Sequence, residues 1–262
     1  GIVLFSTKIT AQSAHPELVY QYRPTAFPLI QNGKPAAILV DKNDAAVVGI
    51  VANALSADLE LVSGSRPAVV HEITGEYLVI AGTLGKSVFI DRLVKSKKLD
   101  VSGVRNKWEN YLIATVSTPF PGVKQAHVVV GADRRGTAYV MFEVSRMAGV
   151  SAWVWWADVK PAPNTDIFLT AGAYIEKEPD VKYRGIFLND EDWGLQPWAA
   201  QNLDKDVKDI GPKAYARIFE LMLRLRANTI WPAMHDSTKP FWYYAGNPEV
   251  ADQYGIVLGS TH

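Results

Sequence analysis

Short apolar blocks punctuate the chain and alternate with stretches of helical spacing. Residues 36–41, 68–73, 77–81, 110–116, 126–131 and 166–173 are each rich in valine, isoleucine, leucine or alanine, and predict buried strands. Residues 44–61 carry Val47, Val48, Val51, Leu55 and Leu59 on one side of a helix, with Asp44 where an N-cap belongs. Residues 87–94 predict a second helix capped by Ser87 and followed by a solvated basic run to Lys98. Residues 134–149 predict a third, with Val140, Val144 and Met147 along it and Gly149 at its C-terminal end. Thr74-Gly75 reads as a hairpin turn between the strands on either side. Strands alternating with helices predict an α/β domain over residues 30–176, preceded by an extended arm over 1–29 that contains Pro16, Pro24 and Pro28.

A proline- and charge-rich stretch over 157–180 breaks this pattern, and a different one follows. A strand over 183–188, a long loop, a helix over 212–227, a strand over 228–233, a short helix over 248–254 and a strand over 255–259 read as β-α-β-α-β. Pro212 suits the first helical turn, and Phe219, Leu221 and Leu225 mark the side expected to be buried. This is the repeating unit of a parallel barrel. The fold class expected is therefore α/β: a mixed α/β domain, then the first β/α units of a (β/α)8 TIM-type barrel over 177–262. A closed barrel of that kind needs eight strands and usually ~250 residues, so the chain is expected to be the front part of a longer protein.

Composition narrows the function classes. Nearly half the residues are hydrophobic (48%), enough for a large core. The 27 basic and 27 acidic residues cancel, which argues against a nucleic-acid partner. No apolar run approaches the ~18 residues that span a bilayer, so no membrane partner is expected. The absence of cysteine excludes disulfides, thiolate nucleophiles and cysteine-bound metals within the chain. The chain starts at Gly1, and Ile2 to Phe5 with the small residues around Ala11-Gln12-Ser13-Ala14 have the look of a processed secretion signal or of a tag-derived arm. The expected location is secreted or periplasmic.

Candidate chemistry sits at strand ends. The apolar run Gly185-Ile186-Phe187-Leu188 stops in Asn189-Asp190-Glu191-Asp192, and carboxylates at the end of a buried strand need partners or a purpose. The run before His235 and the run before Ser260-Thr261-His262 end the same way. Three such ends point to one face of a barrel, where enzymes of that fold place their sites. Glycoside hydrolysis needs one carboxyl to protonate the leaving oxygen and usually a second across the bond, ~5 Å away in retaining enzymes and ~6.5–9.5 Å in inverting ones. Adjacent residues of an extended strand point to opposite sides, so Asp190 and Glu191 do not form that pair while the backbone stays extended. His235 and His262 could bond sugar hydroxyls or neutralise a uronate; equally, each could be a satisfied structural residue. No third ligand stands beside them, so no metal is expected. Six of the eight tryptophans lie between 153 and 231 and divide between packing and sugar stacking.

Two glycine turns are weaker signals. Gly82-Thr83-Leu84-Gly85-Lys86-Ser87 invites a phosphate-loop reading, but only two residues separate its glycines where four are needed. Gly131-Ala132-Asp133-Arg134-Arg135-Gly136-Thr137 could hold an anion at a helix start or be a structural turn.

YRGIFLNDEDWGLQPW over 183–198, the helix AYARIFELMLRL over 214–225, ANTIWPAMH over 227–235 and ADQYGIVLGSTH over 251–262 together resemble glycoside hydrolase family 115, the xylan α-1,2-glucuronidases. VIAGTLGKS over 79–87 and the stretch from Arg135 to Val159 look like that family's first domain. The resemblance implies an inverting enzyme that removes (4-O-methyl-)α-D-glucuronic acid from xylan without a cofactor, acting on glucuronoxylan or its oligosaccharides. It implies Asp190 and Glu191 as catalytic candidates and Asn189, Trp231, His235 and His262 as substrate contacts. It also implies a second carboxylate beyond residue 262 and a homodimer formed through domains outside this chain. Two other classes stay open: a non-catalytic carbohydrate-binding or structural module, and a nucleotide-dependent enzyme using Gly82 to Ser87.

Overall fold

The apolar blocks are realised in a six-stranded sheet with a core on each face. The computed structural model describes residues 15–189 and 191–260. The sheet is built from β4 (Ala37–Val40), β5 (Val69–Val70), β6 (Tyr77–Thr83), β7 (Tyr111–Ser117), β8 (Gln125–Gly131) and β10 (Ala173–Glu176), in the order β10-β7-β8-β6-β4-β5. The strands β5, β4, β6 and β8 are parallel to one another, and β7 and β10 join antiparallel. Ile38, Val40, Val79, Ala81 and Val129 face helices α1 (Ala46–Ser63) and α3 (Arg134–Met147). Their neighbours Leu39, Leu78, Ile80, Val128 and Val130 face α2 (Val88–Lys95) on the other side. A smaller antiparallel sheet, β1 (Leu18–Val19), β9 (Ile167–Leu169), β2 (Phe27–Gln31) and β3 (Lys34–Pro35) in that order, lies against the α1 side. By length and composition α1 is apolar enough to cross a membrane. Here it is a core helix whose Asp58 pairs with Arg224.

Several expectations are corrected. Residues 18–31 are not an extended lead-in: β1 and β2 pair with β9, and Phe27, Leu29 and Ile30 are fully buried. The stretch 166–173 is not one strand. It ends at Leu169, and the chain re-enters the larger sheet as β10. Thr74-Gly75 is a turn, with Gly75 at φ +75, but it makes no hairpin, because β4 lies between the strands it joins. A turn signal reports a reversal of the chain, not who pairs with whom. Asp44 does not cap α1; Ala45 holds that position. Asp44 instead accepts from the N–H of Ala45 (2.7 Å) and from the N–H of Thr83 at the end of β6 (2.7 Å). Ser87 stands at the start of α2 without a capping bond, and Asp41 accepts there from the N–H of Val88 at 2.8 Å.

The C-terminal segment forms a separate three-stranded parallel sheet, β11 (Gly185–Phe187), β12 (Thr229–Trp231) and β13 (Val257–Leu258) in that order. The expected loop after β11 contains a single π-helical turn, Glu191–Leu195, and helix α4 (Gln196–Asn202). Helix α5 (Pro212–Arg224) starts on a buried carboxylate. Asp204 accepts from the N–H groups of Gly211 (3.1 Å), Lys213 (3.0 Å) and Ala214 (2.8 Å), three donors a helix start leaves unpaired. Its buried side is Ala214, Tyr215, Ile218, Phe219, Met222 and Leu223. Leu225, expected on that side, is 51% exposed because it falls just past the last helical residue. Helix α6 (Gly246–Tyr254) packs beside α5. Ile230 of β12 and Ile218 and Phe219 of α5 belong to the same continuous core as α1 and α3, so the two sheets share one interior.

Candidate functional site

Parallel pairing decides where the strand ends fall. Gly185, Thr229 and Val257 stand level, as do Ile186, Ile230 and Leu258, and Phe187 stands level with Trp231. The ladder runs past the last strand residues: Leu188 N–H donates to Trp231 O (2.9 Å), and Gly259 N–H to Ile230 O (2.9 Å). Asn189, Trp231 and Ser260 therefore leave the sheet at one edge, and His235 follows four residues beyond Trp231. Asp190 and His262 lie outside the described residues, as does the side chain of Glu191. Asn189, which precedes Asp190, and Ser260, two residues before His262, are at that common edge. The backbone turns helical from Glu191, so the argument that extended neighbours point apart reaches only to Asn189.

The strand expected to be buried is half exposed. Ile186 is 47% and Phe187 43% accessible, because β11 is the sheet's outer strand and pairs only with β12. Ile230 points into the helix-covered core, so its neighbour Trp231 projects from the opposite face. The Trp231 indole meets the Phe187 ring edge-on at 5.8 Å between centroids and stays 41% accessible. A Cβ on Gly259 would come within 2.2 Å of its Nε1, so only glycine lets the third strand pass this ring. Phe187 thus joins Trp231 in an aromatic pair that sequence reading missed. Its signal was a place level with Trp231 at the end of an apolar run. Asn189 and His235 are exposed, and His235 Nδ1 lies 3.3 Å from Ser237 Oγ. Among the described residues, no group of three histidines or carboxylates is arranged to hold a metal ion.

The opposite edge of the sheet is ionic and built around a buried carboxylate. Glu109, whose side chain is fully buried, uses both oxygens. Oε1 accepts from Arg135 Nε (2.5 Å) and from Asn228 Nδ2 (2.7 Å), and Oε2 accepts from Arg184 (2.6 Å). Arg184 immediately precedes β11 and Asn228 immediately precedes β12. Arg135 also donates to the carbonyl of Gly255, two residues ahead of β13 (3.1 Å). Arg226, in the turn before β12 at φ +58, reaches Glu176 (3.0 Å), Glu143 (3.4 Å) and the Tyr111 hydroxyl. Burial pushes the Glu143 carboxyl up, but Arg146, Arg226 and His15 together hold it below the ordinary carboxylate range. Burial raises the Tyr111 hydroxyl well above the usual tyrosine range. The first domain thus grips the amino ends of all three parallel strands.

Neither glycine turn is built for an anion. A Cβ on Gly82 would lie 2.4 Å from the Cβ of the fully buried Ser87, and the carboxylate of Asp41 already occupies the start of α2. At α3 the Asp133 carboxylate accepts from the N–H groups of Arg135 (3.0 Å) and Gly136 (2.9 Å). Arg134 and Arg135 are committed to Asp252 and Glu109. Each turn carries its own negative charge where a phosphate would need donors, so the nucleotide reading fails.

Comparison with known proteins adds context. Residues 176–262 match the model of glycosyl hydrolase family 115. Among solved structures, a family GH115 4-O-methyl-alpha-glucuronidase with specificity for decorated arabinogalactans is similar at 42% identity and a TM-score of 0.77. That likeness covers 90% of this chain and 30% of that one. The expected resemblance to family 115 is shown by these two matches, and the mixed α/β fold with it. A Streptomyces plicatus beta-hexosaminidase is similar at 12% identity and a TM-score of 0.54, over 95% of this chain and 44% of that one; the likeness concerns fold alone. The chain spans under half the length of either structure. A search of curated proteins returned no match.

Proposed function

We propose, from the family 115 match and the common edge of β11, β12 and β13, that this chain supplies the opening part of a glycoside hydrolase. It provides the N-terminal α/β domain and the first three strands of a (β/α)8 barrel. The enzyme removes (4-O-methyl-)α-D-glucuronic acid from a polysaccharide with inversion. The observation that carries the reading is the parallel register, which sends Asn189, Trp231 and Ser260 off one edge while the other edge is sealed by ion pairs. Carboxyl-terminal strand edges are where barrels of this type do their chemistry.

In this reading Asp190 is the first candidate for the catalytic or substrate-orienting carboxylate and Glu191 the second. The Trp231 ring stacks on the apolar face of a sugar, and Asn189, His235 and His262 bond hydroxyls or the uronate. Inversion requires a second carboxylate on the far side of the bond, with water between, and no cofactor. A polymeric substrate does not cross membranes, which favours a secreted or periplasmic enzyme. The polymer implied by the family resemblance is glucuronoxylan. The 42% identical structure, described as specific for decorated arabinogalactans, favours arabinogalactan as a second reading.

The test uses a protein of full relative length. Uronic acid release is followed on glucuronoxylan and on arabinogalactan in parallel, and the better substrate names the polymer. Asp190→Asn is expected to lower release at least about tenfold with an unchanged melting temperature. Wild-type rates in that variant remove Asp190 from the site. If calorimetry finds that the polysaccharide binds while the full-length protein releases nothing, the chain is a binding module.

A further inference from the structure

A second aromatic assembly lies outside the strand edge, formed by the 154–160 segment and helix α4. Trp155, Trp156 and Trp198 stand 5.0, 5.7 and 6.0 Å apart by ring centroids, and all three are half-buried. They line an open cleft of about 880 Å³ between α1, α5, the start of α4 and the 154–160 segment. That volume is within the ~300–1,000 Å³ usual for small-molecule sites. The rings are held in place. Trp156 Nε1 donates to the carbonyl of Arg217 (3.2 Å), and the Arg217 guanidinium lies 4.7 Å from the Trp155 ring centre. Helix α5 covers the core face of the three-stranded sheet, so the cleft lies on the side opposite Trp231.

The charges of the cleft say what would bind. Asp58, Asp158 and Glu220 face Lys160, Arg217 and Arg224: three negative groups against three positive. Both arginines are already committed. Arg224 pairs with Asp58 (2.8 Å) and Glu220 (2.9 Å), and Arg217 pairs with Glu220 (3.3 Å). At either arginine a uronate would have to displace those carboxylates, and of the three cations only the exposed Lys160 stands outside these pairs. A neutral pyranose needs only what is present, an indole for its C–H face and fixed polar groups for its hydroxyls.

We propose that this cleft is a second glycan site, which holds an uncharged stretch of polysaccharide backbone while the strand edge handles the acidic branch. The proposal rests on the reading of the protein as a polysaccharide hydrolase. Two contacts on one polymer raise its apparent affinity without changing the chemistry at either.

The test is affinity electrophoresis of the 262-residue chain through gels containing a soluble, uronate-free arabinoxylan or a debranched galactan. Migration should be retarded by at least one of them. Trp155→Ala should abolish the retardation and Trp155→Phe should restore part of it; circular dichroism checks that each variant is folded. No retardation of the wild type, or equal retardation of wild type and a folded Trp155→Ala chain, overturns the second site. A separate measurement keeps the two readings apart. In the full-length protein, Trp155→Ala should raise KM on polymer about threefold or more and leave kcat/KM on a short uronic-acid oligosaccharide unchanged. If the full-length wild type releases no uronic acid while Trp155-dependent retardation persists, the hydrolase reading fails and the cleft stands as a glycan site.

Discussion

The two edges of the β11-β12-β13 sheet are built on opposite principles. At the amino edge, every strand enters the sheet through a residue tied to the first domain. Arg184 and Asn228 converge on Glu109, and Gly255 is held by Arg135. At the carboxyl edge, Asn189 and His235 are exposed and Trp231 is half-exposed. A buried charge removed from its partners costs several kcal/mol, whereas an exposed polar side chain costs almost nothing to replace. One edge therefore fixes where the strands are, and the other is left exposed. In a parallel barrel the same division separates the stabilising bottom from the functional top.

The amino edge gives the largest expected effect. Glu109→Gln keeps the shape but removes the charge, leaving the side chains of Arg135 and Arg184, 22% and 23% accessible, without their carboxylate. Breaking a buried pair from one side costs about 3–5 kcal/mol. Urea denaturation of the chain should show a loss of that order, with the midpoint moved and the slope unchanged. A loss under about 0.5 kcal/mol would mean that the amino edge is not what holds the sheet.

Little of this edge was legible in the sequence. Glu109 sits between Trp108 and Asn110, with no local sign of burial, and its partners lie 26, 75 and 119 residues away. Such a bridge exists only once the fold has formed. The elements themselves were legible where periodicity was strong. Val47, Val48, Val51, Leu55 and Leu59 marked α1, and each is fully buried. The strands β6, β7 and β8 fell on their apolar runs. Pairing was not legible, because the non-local insertion of β4 between β5 and β6 leaves no trace in the turn that joins them. At the carboxyl edge, apolar runs ending in polar residues did give the signal, since a strand end must change character where it leaves the core. That signal located Asn189 and, four residues past the strand, His235; Trp231 came from the family resemblance, and nothing pointed to the Phe187 ring beside it or to the Trp155 cleft.

Acid should attack the amino edge next. Glu143 is held below its ordinary pKa of 4.5 despite burial, by Arg146, Arg226 and His15. A group depressed in the folded state contributes fully above its unfolded pKa, and that contribution is lost as pH falls through the folded value. Stability assigned to Glu143 should therefore be constant above about pH 4.5–5 and decline below it. Denaturation midpoints from pH 7 to 3 should show this decline in the wild type. The decline should be shallower in Glu143→Gln, which starts from a lower midpoint at neutral pH. Parallel curves would mean that Glu143 does not couple acid to the grip that Arg226 exerts on the turn before β12.

The carboxyl edge should give the smallest change in stability. Asn189→Ala alters an exposed side chain outside any strand, and should shift the unfolding free energy by less than about 0.5 kcal/mol. Trp231→Ala loses its edge-on contact with Phe187 and its cover over Gly259, and should cost more, about 1 kcal/mol. Both values lie well below that expected for Glu109→Gln. In the full-length protein the order should reverse for substrate handling, because Trp231 presents a flat ring that the amino edge does not have. Its removal should raise KM for uronic acid release several-fold, while the melting temperature moves by only a few degrees. If instead Trp231→Ala destabilised the chain as strongly as Glu109→Gln, the ring would be part of the packing that holds β12 against its neighbours. The two edges would then differ in exposure but not in purpose.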